Sequence, residues 1–253
     1  MYMSAVAWER MRAMLQAFEE AWLDPLDDPV RSVIERSGWT ADEPGAYCDR
    51  CGATVGPHEA LEYGCSSCHR MRPPWSRFVR LGEYSPPLSE LILQLKFQRR
   101  REAGRVLGEA LSRSCEVAGA LSGVDRREVV VAAVPMSRRR YLVRGIDHTG
   151  VLAASVSSGL GVRRVRAVRA VHHASQRSVP ASARRSNVRG RYRSSMGGLR
   201  GVKRVLLVDD VVTTGSTARE VCRSLKGARE GLDGGMCGGA VGVGRGAGCG
   251  PSG

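Results

Sequence analysis

The sequence predicts an α/β fold built on a parallel sheet, with a small appendage towards its N-terminus. Three observations carry this expectation. Val205-Leu206-Leu207-Val208 is a short apolar run of the kind that forms a strand buried on both faces. Val129 to Val134 is a second such run. Both lead into polar, chemistry-bearing residues, which fits ligand groups set at the carboxyl ends of parallel strands. Cys48-Asp-Arg-Cys51 and Cys65-Ser-Ser-Cys68, thirteen residues apart, form the appendage. Each pair presents two thiolates from a tight turn, and together they complete a tetrahedral four-sulfur site for zinc.

Taken from the N-terminus, residues 4–23 place Met11, Met14, Leu15, Phe18 and Trp22 on one helical face with acids on the other. This amphipathic helix would dock on the body of the protein or on a partner. Residues 24–46 carry Pro25, Pro29 and Pro44 and read as a linker with a short helical piece around Val30–Arg36. The first segment is therefore 1–45, helix and linker. A zinc ribbon over 46–75 follows, with Gly52 and Gly64 easing the chain beside the cysteines. Cys48, Cys51, Cys65 and Cys68 close the coordination sphere, so the metal would be structural. His58 and His69 are alternative ligands, and redox cysteines are the competing reading. Tyr84 to Leu111 is helix-rich, with Leu88, Leu91, Ile92 and Leu95 at helical spacing and Val106, Leu107, Ala110 and Leu111 resuming it. Lys96, near a helix end, would point to a phosphate or simply be solvated.

The strand over Val129–Val134 ends at Pro135-Met136-Ser137-Arg138-Arg139-Arg140, followed by Arg144-Gly145. A basic loop there is placed to hold a pyrophosphate. Thr149 to Leu160 reads as a helix, Val162 to Val171 as an edge strand, and 172–200 as a flexible, basic, substrate-covering loop. The second apolar run ends in Asp209 and Asp210, two acceptors suited to the vicinal hydroxyls of a ribose. Thr213, Thr214, Gly215, Ser216 and Thr217 follow at the start of a helix. Their hydroxyls, unpaired N–H groups and the helix dipole make a cradle for a phosphate monoester. Acid pair and cradle together describe a site for ribose 5-phosphate. The helix runs to about Lys226. Twelve of the 27 residues from Gly227 to Gly253 are glycine, so this stretch is expected to be a disordered tail, with only Ala240-Val241-Gly242-Val243 strand-like.

A chain of 253 residues suits one α/β domain plus a small appendage. It has no run of 18 apolar residues, so no membrane span is expected. The N-terminus, with Glu9, Glu19 and Glu20, lacks a signal-peptide design, and a cytoplasmic location follows. The eight cysteines are then expected to be ligands or spare thiols. The net charge is +14, and residues 126–204 hold nineteen Lys or Arg against Glu128 and Asp147. Such a block fits pyrophosphate, nucleic acid or a solvated surface. None of the four tryptophans lies in it, so few rings are available there for base stacking.

The stretch from Val205 to Thr217 resembles the signature of type I phosphoribosyltransferases, which bind phosphoribosyl pyrophosphate (PRPP). The larger order is similar to the ComF family, some of whose members take part in DNA uptake during competence. That order comprises two cysteine knuckles, Leu95-Lys96-Phe97, Val134-Pro-Met-Ser-Arg-Arg-Arg with Arg144-Gly145, Ser175-Gln176 through Arg189-Gly190, and Val208-Asp-Asp-Val-Val-Thr-Thr-Gly-Ser-Thr217. The resemblance covers roughly 46–226. It implies a Rossmann-like parallel sheet of the type I phosphoribosyltransferase kind over 76–226, an N-terminal zinc ribbon and a Mg²⁺-dependent PRPP site. By the match, Asp209 and Asp210 would be the catalytic pair and take the ribose hydroxyls. Thr213, Thr214, Gly215, Ser216 and Thr217 would hold the 5-phosphate, and Arg138, Arg139, Arg140 and Arg144 would lie near the pyrophosphate. The chain departs from the family at Ile146-Asp147-His148, at His172-His173-Ala174, and in its glycine-rich end, where the family has a further strand. The alternative function is a non-catalytic module that binds single-stranded nucleic acid, single-stranded DNA in particular, within the uptake machinery.

Overall fold

The computed structural model describes residues 29–56, 59, 64–70, 73–171, 191–227 and 236–243. The amphipathic helix expected over 4–23 lies outside them, as does 172–190. The chain divides into two compact units, 1–38 and 39–253. In the first, the described element is α1 (Pro29–Ser37), the helical piece expected within the linker. Arg36 folds back along it and donates from Nε to the Ser32 carbonyl at 3.1 Å.

Seven strands occur among the described residues of the second unit: β1 (Phe78–Arg80), β2 (Val129–Ala133), β3 (Arg163–Arg164), β4 (Val168–Ala170), β5 (Tyr192–Ser194), β6 (Arg204–Val211) and β7 (Met236–Val243). Five form one sheet in the order β1-β7-β6-β2-β3, parallel throughout. β2 and β6 are adjacent inner strands, in register from Val129 opposite Arg204 to Ala133 opposite Val208. Side chains alternate across a strand, so Val205 and Leu207 share one face with Val130 and Ala132. That face packs on Ala218, Val221, Cys222 and Leu225 of α6 (Ser216–Gly227). Leu206, Val208, Val129 and Val131 point the other way, where α5 (His148–Leu160) lies against β2 and β6. Coverage of both faces is why these strands read as unbroken apolar runs rather than as alternating ones.

Two further helices extend the α5 layer. α2 (Leu88–Phe97) buries Leu88, Leu91, Ile92 and Leu95, the residues at helical spacing in the sequence. α3 (Arg101–Val117) packs tightly on α5. Gly108 allows the approach, since a Cβ there would come within 2.4 Å of the Ser155 Cβ.

Four expectations are corrected. The segment expected as one edge strand over 162–171 is broken. Arg163–Arg164 pairs with β2 at the sheet edge, while Val168–Ala170 pairs antiparallel with β5. Within the stretch expected as a loop over 172–200, the described residues form β5 and a 3₁₀ turn at Met196–Gly198. The glycine-rich tail supplies β7, which sits between β1 and β6. Its backbone groups are paired on both sides, and that hydrogen bonding, rather than side-chain propensity, makes it a strand. Cys222, expected as a spare thiol, is disulfide-bonded.

Candidate functional site

β6 carries both acids at its carboxyl end, where its pairing with β7 is irregular between Val208 and Val211, and the two carboxylates lie close enough to interact. Asp210 turns towards α2 and α5. Its Oδ2 lies 2.7 Å from Lys96 Nζ and 2.8 Å from His148 Nε2, and its Oδ1 accepts the Val211 N–H at 2.7 Å. Burial alone would raise this carboxyl, but the hydrogen bond from His148 and the charge of Lys96 outweigh it and hold Asp210 well below the usual carboxylate range. Asp209 lies beside Asp210. Burial and the neighbouring charge of Asp210 push its carboxyl well above that range. Its Oδ1 accepts the Asp210 N–H at 2.9 Å. The pair is thus split, with Asp210 held down and Asp209 pushed up.

After β6 the chain makes the expected turn. Gly215 has a φ of +68°, a conformation that favours glycine. Thr214 Oγ1 accepts the Ser216 N–H at 3.3 Å and donates to Ser216 Oγ at 3.1 Å, and the Arg219 N–H closes the first helical bond on the Gly215 carbonyl at 2.8 Å. Thr213, Thr214 and Ser216 are exposed, while Gly215 and Thr217 are half-buried. The turn therefore offers hydroxyls and the N-terminal end of a twelve-residue helix to solvent.

The basic segment after β2 is a two-turn helix, α4 (Arg138–Arg144), where a loop was expected. Ser137 caps it by accepting the Arg140 N–H at 3.4 Å, and Gly145, at φ +67°, ends it. Arg99 fastens α4 to the end of α2 by donating from Nε to the Arg144 carbonyl at 2.9 Å. Arg144 lies over the Phe97 ring at 5.5 Å and reaches the His148 ring nitrogens at 3.1 and 3.4 Å. Between these helices opens a cleft of about 520 Å³ lined by Lys96, Phe97, Arg99, Ser137, Arg139, Arg140, Val143 and Arg144. Arg139, Arg140 and Arg144 line it; Arg138 is exposed on the same helix outside the lining.

Lys96 joins cleft to acid pair, lining the one and touching the other. Tyr192 stands within the fields of Asp209 and of Arg140; burial and then the Asp209 charge push its phenol up. His148 and Tyr192 had no assigned role in the sequence. The signal for His148 was its i+4 spacing from Arg144; nothing local marks Tyr192.

The four cysteines come together as expected. All four Sγ atoms lie within 4.8 Å of one another, with Cys48–Cys68 and Cys51–Cys65 at 3.6 Å and Cys65–Cys68 at 3.9 Å. Zinc–sulfur bonds of roughly 2.3 Å in a tetrahedron require sulfurs about 3.8 Å apart, so the set fits zinc. Gly64, at φ +102°, is needed there, because a Cβ would come within 2.6 Å of Cys68 Sγ. A hydrogen bond with the Cys51 thiol pulls the Cys48 thiol down to about 4. His69 is exposed with Nδ1 on the Ser66 carbonyl and is not part of the cluster; His58 lies outside the described residues. Arg80, 2% exposed, ties this ribbon to β1 through Asp42, the Gly52 carbonyl and Thr54.

Residues 137–230, from the cap of α4 to just past α6, match the phosphoribosyl transferase domain, and the fold is of that class. Among named relatives, the DNA utilization protein YhgH of Salmonella typhi is 35% identical over 187 residues, 71% of this chain and 78% of that one. The YhgH of Escherichia coli K12 is 34% identical over 185 residues, covering 70% and 77%. Competence protein F of Haemophilus influenzae is 30% identical over 183 residues, covering 71% and 78%. The chain belongs to the ComF family of phosphoribosyltransferase-type proteins. A solved glutamine phosphoribosylpyrophosphate amidotransferase from B. subtilis superposes with a TM-score of 0.35 at 18% identity, over 59% of this chain and 30% of that one, and is too distant to carry an argument. Among the described residues no helix is long and apolar enough to cross a membrane.

Proposed function

We propose that the chain binds phosphoribosyl pyrophosphate with Mg²⁺ and displaces pyrophosphate from the ribose by a base or amine. The observation that carries this is the joining of the acid pair, through Lys96, to an arginine-lined cleft. In this reading Asp209 and Asp210 accept from the ribose hydroxyls and Thr213–Thr217 hold the 5-phosphate. Arg138, Arg139, Arg140 and Arg144 balance the pyrophosphate. Mg²⁺ would supply charge neutralisation on the leaving group, entering largely on substrate oxygens. Asp210 is already ion-paired with Lys96 and His148, so Asp209 is the carboxylate nearer to hand for it. The protein's contribution would be positioning and charge stabilisation. Zinc at the four cysteines would be structural.

Calorimetry with PRPP and Mg²⁺ tests this. Losing a charged hydrogen bond costs on the order of 1.5–3 kcal/mol, so Asp209→Asn is expected to weaken binding by roughly ten- to a hundredfold. Unchanged affinity in that variant, or a folded wild type that ignores the ligand, rejects the reading. Pyrophosphate release against a panel of bases and amines then reports turnover.

A second reading, binding of single-stranded nucleic acid, draws on Phe97 and Tyr141. They are 65% and 50% exposed beside the arginines, and offer the rings that the basic block lacked in tryptophan. It predicts steeply salt-dependent binding of an oligonucleotide that weakens in Phe97→Ala and in an Arg139→Glu, Arg140→Glu variant. No binding at low salt removes it.

A further inference from the structure

The cysteine cluster and the phosphate turn lie far apart in sequence, yet one buried side chain touches both. Trp75 is 4% exposed. Its indole Nε1 donates to the Arg50 carbonyl at 2.8 Å, inside the Cys48–Cys51 knuckle. The far edge of the same ring lies against Gly215, where a Cβ would come within 3.3 Å of Trp75 Cη2. The Arg219 guanidinium, on the first turn of α6, sits 5.4 Å from the ring centre. Phe78 backs the contact, with its ring 6.3 Å from that of Trp75 and packed under Gly52 beside Cys51.

Gly215 has no side chain to restrain it and holds a left-handed conformation, so its neighbours limit what the turn can do. Trp75 is a rigid neighbour with two torsions, and the knuckle fixes its far end through one hydrogen bond. Opening the knuckle removes the acceptor of a buried N–H and frees the ring to shift away from Gly215. We propose that Trp75 is a positioning residue that couples the two sites, so that zinc at the cysteines raises the affinity of the 213–217 turn for a phosphate monoester. By linkage, the phosphate ligand then raises the affinity for zinc by the same factor. This rests on the zinc and phosphate readings given above.

The test titrates ribose 5-phosphate into the full chain, zinc-loaded and chelator-stripped, for wild type, Trp75→Phe and Trp75→Leu. Stripping is expected to weaken binding in the wild type on the order of tenfold. Trp75→Phe keeps the ring but loses the N–H, so it is expected to hold its zinc and show much less dependence on it. A role in packing alone would lower affinity and melting temperature without altering the zinc dependence. Equal affinity with and without zinc, or equal zinc dependence in wild type and Trp75→Phe, overturns the proposal, as does a chain that takes up no zinc.

A second readout needs no ligand. Amide hydrogen exchange over 213–219 is expected to quicken on stripping, and to be quick already in zinc-loaded Trp75→Leu. Leu225→Ala, a cavity in the same core cluster at the far end of α6, is expected to leave that segment protected. If loaded wild type binds no ribose 5-phosphate, the phosphate reading fails and exchange alone decides the coupling. If stripping unfolds the chain, the zinc-loaded comparison decides it: protection unchanged in Trp75→Leu, or lost equally in Leu225→Ala, sinks the idea.

Discussion

Asp209 and Asp210 are neighbours with opposite needs. The folded state raises the Asp209 carboxyl, through burial and the Asp210 charge, so its contribution to stability is full below the unfolded value near 4 and is lost as pH rises through the raised folded value. Asp210 is depressed by His148 and Lys96 against its burial, so its contribution is present above about 4 and is lost as pH falls towards the folded value. Asp209→Asn is therefore expected to raise the melting temperature at pH 7 while weakening PRPP, and the gain should vanish as pH falls towards 4. Asp210→Asn should do the reverse to stability, because Lys96 and His148 lose the anion they share. Breaking a buried pair costs about 3 kcal/mol or more. Paired thermal melts from pH 4 to 8 check both signs, and two variants moving together would contradict this account. The acids and the hydroxyl turn were legible because their chemistry sits in consecutive residues. Lys96 read equally well as solvated, and His148 carried no role at all, because each meets Asp210 only after α2 and α5 have packed on the sheet.

At the scale of elements, α4 shows how a basic segment can be read for charge and missed for shape. Its signals were the Ser137 cap and the Gly145 stop, but no buried face accompanied them, since Arg138 to Val143 are all exposed. An apolar period was the evidence of helix used elsewhere, so the segment read as a loop. The helical form matters for the site, because it places Arg140 and Arg144 at i, i+4 on one side of the cleft. Gly145 is where that placement is set. A Cβ there meets the left-handed φ of +67° and comes within 2.7 Å of Arg99 Cζ. Gly145→Ala should cost about 1–2 kcal/mol from the conformation alone. It should also push Arg99 off the Arg144 carbonyl, widening the cleft, and so weaken PRPP more than ribose 5-phosphate, which lacks the pyrophosphate. Equal weakening of the two ligands would show that the arginine cleft does not read the pyrophosphate.

For the whole molecule, β7 decides whether the ribbon and the site belong to one sheet. The inner strands β2 and β6 announced themselves through apolar runs, and the order of motifs along the chain carried the family. β7 did not, because glycine-rich sequence has almost no side-chain pattern to read, and only Ala240 to Val243 hinted at it. Its role is nevertheless central: β1 pairs with β7 at Phe78–Arg80, β7 pairs with β6 along most of its length, and β1 is the strand to which Arg80 and Phe78 fasten the cysteine ribbon. A chain stopped after Gly227 would leave an open ladder on both β1 and β6. Each lost hydrogen bond is worth about 0.5–1.5 kcal/mol net, and an eight-residue strand loses enough of them to approach the 5–15 kcal/mol that holds a domain together. The truncated chain is therefore expected to lose cooperative unfolding in urea, to bind a hydrophobic dye and to hold zinc more weakly, since β1 would no longer be anchored. A truncated chain that keeps the wild-type urea midpoint and one zinc per molecule would show that the ribbon and α/β layers stand without this strand.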